Sequence, residues 1–331
     1  MSATNPAKDP VTDGVRDGMV DVMRDGVRFR EENLVASIVR ESFFEFVQEF
    51  WYTIIQEEPV FNWHIEYLCG ELQLVAERVF RGEPKEYDII INIAPGSTKS
   101  TIVSQMFPAW CWTRFPSARF ICGSYAKEVA LKDSLKTRDI VQSEKYRNAF
   151  PGIDLREDEN RKGLFTNTQM GFRYSAGVGG AVTGYHGHFL IVDDPINPEE
   201  AFSDADLRRA NRWMMNTLPM RKVDKKISVT VLIQQRLHQA DPTGDWIERS
   251  KGSGIRHICL PAELTDDVQP VELRAHYVDG LFDPVRMPHE ILAQARKEMG
   301  AYGYAGQMLQ TPVPMGGGSF EAEKFELRDE A

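Results

Sequence analysis

Short apolar runs rich in β-branched residues alternate along this chain with segments of helical periodicity. The apolar runs lie at 87–93, 118–125, 189–192, 227–233 and 255–260. Runs of this length and composition predict strands that are buried on both faces of a sheet. Segments with apolar residues at helical spacing separate them, at 101–112, 127–143 and 204–218. This alternation predicts an α/β fold, a three-layer sandwich around a mostly parallel central sheet.

Helical spacing also precedes the first of these strands, so we expect an N-terminal helical segment. One amphipathic helix is predicted over 33–55, and a second runs from about 61 to 81. Trp63 and His64 stand at the start of the second helix, shortly before the central strand. Two interpretations of this pair stay open: an aromatic ring that stacks on an adenine, and a core tryptophan beside a capping histidine.

Changes in composition divide the chain into four parts. Residues 1–32 are polar and repeat Asp-Gly, which predicts a flexible tail. Residues 33–262 carry the alternating elements and predict the core domain. Residues 263–315 hold scattered prolines and one helical segment, at 288–299, and predict an extension that wraps the core. Residues 316–331 begin with Gly-Gly-Gly-Ser, which is the composition of a linker.

The overall composition is that of a folded protein with a substantial core. Of 331 residues, 42% are hydrophobic and 27% are charged. The net charge of −10 argues against a generally basic coat for nucleic acid, although it leaves room for a local basic patch. The four cysteines form no C-x-x-C pair, which favours buried, reduced thiols. We predict no membrane-spanning helix, because every long apolar segment carries charge.

The first strand runs directly into Pro95-Gly96-Ser97-Thr98-Lys99-Ser100-Thr101, where the next helical segment begins. This is the layout of a phosphate-binding loop. Backbone N–H groups face an anion, a lysine reaches the outer phosphates, and a hydroxyl ligates Mg²⁺. The strict motif would have glycine in place of Thr98. Because a β-branched residue tolerates positive φ poorly, we expect the loop to turn on Gly96 instead. The alternative is a strand followed by a capped helix with one exposed lysine.

The strand at 189–192 ends in Asp193-Asp194-Pro195, and the strand at 227–233 leads into Gln235-Arg236. One aspartate would hold Mg²⁺ and the other would orient a water, whereas the alternative is a turn-forming pair before proline. Gln235 and Arg236 either sense a γ-phosphate or are ordinary polar residues of a surface loop. Because the carboxyl ends of parallel strands share one edge of a sheet, these groups are predicted to meet the phosphate loop there.

Taken in order, these stretches resemble the large terminase subunit of tailed bacteriophages and prophages, the motor that packages DNA into the procapsid. The resemblance covers roughly residues 60–325. It rests on the segments 95–101, 104–110, 184–188, 193–195, 235–238, 241–244 and 310–314. It implies a P-loop NTPase of the ASCE or RecA-like division, with ATP as substrate and Mg²⁺ as cofactor.

The resemblance also implies roles for individual residues. Lys99 and Ser100 would contact phosphate and Mg²⁺, and Asp193 matches the Walker B carboxylate. Asp194 matches the catalytic carboxylate, where many relatives have glutamate. Gln235 and Arg236 stand at the motif that couples hydrolysis to movement, and Arg236 is also a candidate catalytic group.

Two departures from the family pattern stand out. Many relatives place an arginine finger near the position of Tyr185, where it acts on a neighbouring subunit. Here the remaining candidates are Arg173, Arg221 and Arg236. Relatives also continue into an RNase H-like nuclease beyond the glycine linker. This sequence ends soon after that linker begins, so we expect no nuclease activity in it.

The resemblance further implies the setting in which the protein works. The expected partners are double-stranded DNA, the portal protein of the procapsid, the small terminase subunit, and further copies of the chain in a ring. The expected location is the cytoplasm of the host, with no membrane involved. Two alternatives stay open. One is another nucleic-acid-dependent translocase or helicase-like ATPase, and the other is a nucleotide-binding module without turnover.

Overall fold

The computed structural model describes residues 21–24 and 27–314, with side chains from residue 34 onward. The strands are β1 (Asp21–Arg24), β2 (Val27–Arg30), β3 (Asp88–Ile93), β4 (Arg119–Ser124), β5 (Leu155–Arg161), β6 (Leu164–Asn167), β7 (Phe172–Gly177), β8 (Phe189–Asp193), β9 (Val229–Gln234) and β10 (Ile255–Leu260). The helices are α1 (Glu31–Glu41), α2 (Phe43–Ile54), α3 (Trp63–Phe80), α4 (Phe107–Arg114), α5 (Lys127–Gln142), α6 (Glu144–Ala149), α7 (Asp204–Arg212), α8 (Pro242–Ser250) and α9 (His289–Gln307). Two π-helical segments, Thr101–Met106 and Trp213–Thr217, adjoin α4 and α7.

The central sheet has eight strands in the order β10-β3-β9-β8-β4-β7-β6-β5. The six strands from β10 to β7 are parallel, and β6 and β5 add an antiparallel edge. Strand β9 lies between the strand that enters the phosphate loop and the strand that ends at Asp193. One strand therefore separates the loop from the paired acids, as expected for the ASCE or RecA-like arrangement. The predicted mostly parallel sheet is confirmed.

The two faces of the sheet are covered by different helices. Along β3, Ile89, Ile91 and Ile93 pack into a large core with residues of α1 to α4. Ile90, which points to the other face, packs in a second cluster with Trp213 and Met214. Alternate burial on both faces explains why the strand reads as a continuous apolar run. The predicted three-layer sandwich is confirmed.

The helix predicted over 33–55 is in fact two helices, because the chain turns at Ser42. This residue has extended backbone angles, and its Oγ accepts a hydrogen bond from Glu45 N at 3.2 Å. Phe43 N donates to Gln73 Oε1 of α3 at 2.9 Å, which fixes the start of α2. The break lets α1 and α2 change direction while both keep an apolar face on the core, and no strong helix breaker marks it in the sequence.

The ends of the chain differ partly from expectation. Residues 21–24 and 27–30, predicted to lie in a flexible tail, pair as two antiparallel strands, and residues 1–20 and 25–26 lie outside the described part. The predicted extension is described as far as residue 314 and packs on β10, with Cys259 N donating to Gln269 O at 2.8 Å. Its helix α9 continues to Gln307, well beyond the predicted end, with a break at Gly300. The linker at 316–331 lies outside the described residues.

Two predictions from composition bear on the described chain. Its four cysteines are free and buried, as predicted, and burial raises the pKa of each thiol. Within residues 21–24 and 27–314, no helix is both long and apolar enough to span a bilayer.

Candidate functional site

Three segments that are distant in sequence meet at the carboxyl edge of the sheet. Lys99 Nζ lies 3.5 Å from Asp194 Oδ2, and Asp194 Oδ1 accepts a hydrogen bond from Gln235 N at 3.1 Å. The Lys99 side chain is 9% exposed and that of Asp194 is 26% exposed. The backbone of Asp194 is fixed between two strands, because its N–H donates to Ile233 O and its carbonyl accepts from Tyr125 N. The structure therefore brings the loop lysine, the second aspartate and the end of β9 together.

The predicted phosphate loop, residues 95–101, turns at two residues with positive φ, Gly96 at 78° and Thr98 at 67°. The expectation that Thr98 would avoid this conformation was wrong. A β-branched residue held there costs on the order of 1–3 kcal/mol, and it persists only where its surroundings over-determine it. Thr98 O accepts from Ile102 N at 3.2 Å, so the strained residue directly precedes the helix. The amides that precede Ile102 are the donors that a helix N-terminus offers to an anion.

His64 supports the loop from beneath. It is fully buried, and its Nε2 lies 3.0 Å from the carbonyl oxygen of Ser97, which is itself buried. Since a carbonyl only accepts, Nε2 carries the proton, and Nδ1 accepts from Asn62 Nδ2 at 3.1 Å. Burial lowers the pKa of His64 to about 4, so the ring is neutral at pH 7. This contact gives His64 a positioning role that its sequence neighbourhood did not reveal.

Trp63 lies against the C-terminal extension. Its ring stacks on His276 with centroids 4.8 Å apart and 17° between planes. Its indole N–H donates to Phe282 O at 3.3 Å. One face of the indole is therefore covered by the chain itself, and a role in stacking on adenine stays a prediction.

Asp193, the last residue of β8, is almost completely buried behind the loop helix. Its Oδ2 accepts a hydrogen bond from Ser104 Oγ at 2.6 Å, whereas Oδ1 has no partner among the described residues. Burial raises the pKa of this carboxyl above its ordinary value, and the nearby Asp194 and Asp133 add to the rise. Lys99 opposes it. A carboxylate in this setting is stabilised by any cation that reaches its free oxygen.

The oxygen donors beside the loop fit Mg²⁺. Ser100 precedes by four residues Ser104, whose Oγ donates to Asp193 Oδ2 at 2.6 Å. A hydroxyl and the orphaned carboxylate oxygen are the hard ligands that Mg²⁺ prefers. No group of three or more His, Cys, Asp or Glu able to hold a metal occurs in the described part of the chain. The remaining ligands would therefore be phosphate oxygens and water, as is usual for Mg²⁺ at nucleotide sites.

Arg173 does not stand where an arginine finger would. It is fully buried, its Nη1 donates to Ser175 Oγ at 2.6 Å, and its Nη2 donates to Ser104 O at 3.1 Å. Ser104 lies in the π-helical segment, whose wider turn leaves carbonyls open to side chains. The guanidinium is thus enclosed by its own chain, and this candidate for action on a neighbouring subunit finds no support in its position.

Neither of the other two arginines forms an ion pair with Asp194 among the described residues. Arg236 forms a two-fold contact with the buried Asp241, whose oxygens lie 2.9 and 3.0 Å from its Nε, and this pair holds the turn after β9. Arg221 O accepts from Gly187 N, just before β8 begins, so this residue lies at the opposite edge of the sheet. A catalytic role for Arg236 and a finger role for Arg221 stay predictions.

A buried polar network beside the loop strand was missed. His257 Nε2 donates to Asn92 Oδ1 at 2.8 Å, and the amide groups of Asn92 and Gln234 both donate to Thr243 Oγ1, at 3.0 and 2.9 Å. These side chains tie β10, β3 and β9 to α8 near the carboxyl edge. One signal was present in the sequence: Asn92 interrupts an otherwise apolar buried strand.

Comparison with known proteins adds little beyond this geometry. No protein-family model matches the chain, and no curated protein matches it. Two solved structures of the large terminase from a thermophilic bacteriophage are similar. The complex with ADP has a TM-score of 0.39 at 11% identity, over 71% of this chain and 52% of that chain. The complex with ATP-gamma-S has a TM-score of 0.41 at 10% identity, over 71% and 51%. The chain thus spans about half the length of these structures.

Proposed function

We propose that this chain binds ATP at the loop 95–101, hydrolyses it with Mg²⁺, and serves as the motor that drives double-stranded DNA into a procapsid. The observation that carries the nucleotide part is the 3.5 Å pair between Lys99 and Asp194 at the carboxyl edge of a parallel sheet. A loop lysine and a strand-end carboxylate from distant segments meet where α/β folds bind ligands. The DNA-packaging part is supported by the sequence resemblance described above.

Binding begins with charge neutralisation at the loop. The free amides before Ile102 and the N-terminus of the helix attract the phosphates, and Lys99 adds a full positive charge. Ser100 and Asp193 would hold Mg²⁺, which when bound offsets charge on the β- and γ-phosphates. Phosphoryl transfer asks the protein mainly for positioning and charge compensation, and this loop supplies both.

Asp194 links the nucleotide to the end of β9. Before nucleotide arrives, its Oδ2 is held by Lys99 and its Oδ1 by the Gln235 amide. A triphosphate competes for Lys99 and frees Oδ2 to accept a hydrogen bond from the attacking water. Loss of the γ-phosphate lets the ion pair form again. The amide of Gln235 therefore senses whether Asp194 is engaged, which is the kind of switch that couples hydrolysis to movement.

Replacing Lys99 with alanine tests the proposed site. We expect Lys99→Ala to lower phosphate release by about 10²–10³-fold, because a charge that stabilises the transition state is lost. Lys162→Ala, on the exposed turn between β5 and β6, is the matched control and should turn over like the parent protein. Melting temperatures of all three proteins establish that they fold. Turnover by Lys99→Ala near the parent rate would refute the assigned site.

Two further measurements separate this function from the alternatives. ATP binding by calorimetry without phosphate release would identify a nucleotide-binding module. Stimulation of phosphate release by single strands, rather than by duplex DNA with procapsids, would identify a helicase-like translocase.

A further inference from the structure

A basic cleft of about 450 Å³ opens between α7 and the glycine turn that follows β7. We call it the arginine cleft; Gly179, Gly180, Arg208, Arg209, Arg212 and Trp213 line it. The turn begins at the carboxyl end of β7, so the cleft lies at the same edge of the sheet as Lys99 and Asp194. Four strand spacings separate β3 from β7, which is roughly 19 Å.

Two of the three arginines in this cleft, Arg208 and Arg212, have little or no charge compensation among the described residues. Arg208 and Arg212 lie four residues apart on one face of α7, where like charges repel each other. Arg208 has only a loose contact of 3.9 Å with Asp204, and both side chains are well exposed. Arg212 is exposed and has no ion pair within the described residues. Two largely uncompensated guanidinium groups therefore share one helical face, although the net charge of the chain is −10.

The remaining walls keep the cleft open. Arg209 is held in place by Asp206 at 2.8 Å and Glu200 at 3.3 Å. Gly179 has a φ of 79°, and a Cβ on it would lie 3.5 Å from Arg209 Cδ. A Cβ on Gly180 would lie 2.8 Å from Gly177 O, closer than such contacts allow. The glycine turn therefore places bare backbone against the arginines, and no side chain fills the space.

We propose that the arginine cleft binds the phosphate backbone of duplex DNA through Arg208 and Arg212. The planar guanidinium fork matches phosphate oxygens in geometry and charge, and exposed arginines aligned on a helix are the usual electrostatic footprint of such contacts. The choice of duplex DNA as the occupant rests on the proposed packaging function.

A continuous set of contacts joins this cleft to the nucleotide site. Asp194 holds the amide of Gln235 at 3.1 Å. Two residues later, Leu237 packs in a small apolar cluster with Leu207 and Ala210 of α7. Asn211 Nδ2 then donates to Ala240 O at 2.9 Å, in the turn that follows. A shift of the segment after β9 would therefore be transmitted to the helix that carries the arginines, which places the DNA grip under control of the nucleotide.

Salt-dependent duplex binding tests this proposal. We would measure the affinity of the whole chain for a fluorescent duplex of about 30 base pairs at several salt concentrations. Two lost phosphate contacts should reduce the slope of log K against log salt by about 2, because each contact contributes about 0.9. We expect this change for the double variant Arg208→Gln/Arg212→Gln. Arg208→Lys/Arg212→Lys keeps the charges and should keep the slope.

The matched control is Lys225→Gln/Lys226→Gln, which removes two exposed charges at the opposite edge of the sheet and should bind like the parent protein. Equal slopes for the glutamine variants of the arginine pair and the lysine pair would overturn the proposal, and so would a parent protein that binds no duplex. Binding of a fluorescent ATP analogue is measured on the same samples. A parent protein that binds no nucleotide but shows the arginine-dependent slope would refute the proposed ATPase while supporting the cleft.

Discussion

Replacing His64 with glutamine should make the protein less sensitive to acid. Burial lowers the pKa of His64 from 6.5 to about 4, Arg286 contributes to the lowering, and Ser97 O and Asp283 partly oppose it. Between pH 6.5 and about pH 4, the His64 ring is therefore protonated in the unfolded chain and neutral in the folded chain. Stability contributed by the neutral ring is present above pH 6.5 and is lost as the pH falls towards 4.

The size of the effect follows from the two pKa values. The difference between 6.5 and about 4 corresponds to about 3 kcal/mol in full, of which about 2 kcal/mol falls between pH 7 and pH 5. The geometry explains why the proton is refused. Both amide hydrogens of Asn62 are in use, one on His64 Nδ1 and one on Phe282 O. A protonated Nδ1 would face the Asn62 amide N–H, which is also a donor. Turning the Asn62 amide to present its oxygen instead would break the hydrogen bond to Phe282 O.

Urea unfolding at pH 7, 6 and 5 measures this difference directly. Glutamine can still donate to Ser97 O but does not titrate, so His64→Gln should lose about 2 kcal/mol less than the parent protein on going from pH 7 to pH 5. His186→Gln, at an exposed position, is the control for the substitution itself and should follow the parent protein. Equal losses for His64→Gln and the parent would show that His64 is not the buried neutral ring described above.

The remaining predictions concern the loop and the buried arginine. Thr98→Gly should raise the free energy of unfolding by about 1 kcal/mol because it relieves strain at positive φ, and Gly96→Ala should lower it by a similar amount, both measured by urea unfolding. The same sign for both changes would contradict the strain. Arg173→Met should destabilise the fold by about 3 kcal/mol in the same assay, because Ser104 O keeps only a long 3.4 Å side-chain contact with Thr137 Oγ1 and the buried Asp133 loses a compensating charge. A neutral result would mean that Arg173 is not structurally engaged.

The sequence predicts the sheet well because its signal is local. Strands buried on both faces read as apolar runs, and β10 has the bounds 255–260 that the pattern predicts. The meeting of Lys99 and Asp194 also follows from a general rule, since parallel strands share a carboxyl edge. Neither inference needs the orientation of any particular side chain.

What the sequence missed depends on contacts between distant segments. His64 supports Ser97 from 33 residues away, and no periodicity reports which atom of the ring faces the loop. Arg173 was a candidate arginine finger, but its guanidinium is buried and donates to Ser104 O in a π-helical segment. Whether a segment forms an α-helix or a π-helix depends on packing more than on local propensity. The sequence therefore does not reveal that the strand residue Arg173 finds its partner in the π-helical segment.

Thr98 departs from the strict motif in sequence, yet the loop keeps the backbone conformation that the motif requires. The glycine of the strict motif matters because the loop must adopt positive φ, and Thr98 adopts it at 67°. Two neighbouring contacts fix this conformation: Ser97 O is bound by His64, and Thr98 O starts the helix at Ile102. Strain of on the order of 1–3 kcal/mol is small beside the packing that holds these groups. Part of the support for the loop therefore comes from His64 in α3, which a search for the motif alone would not examine.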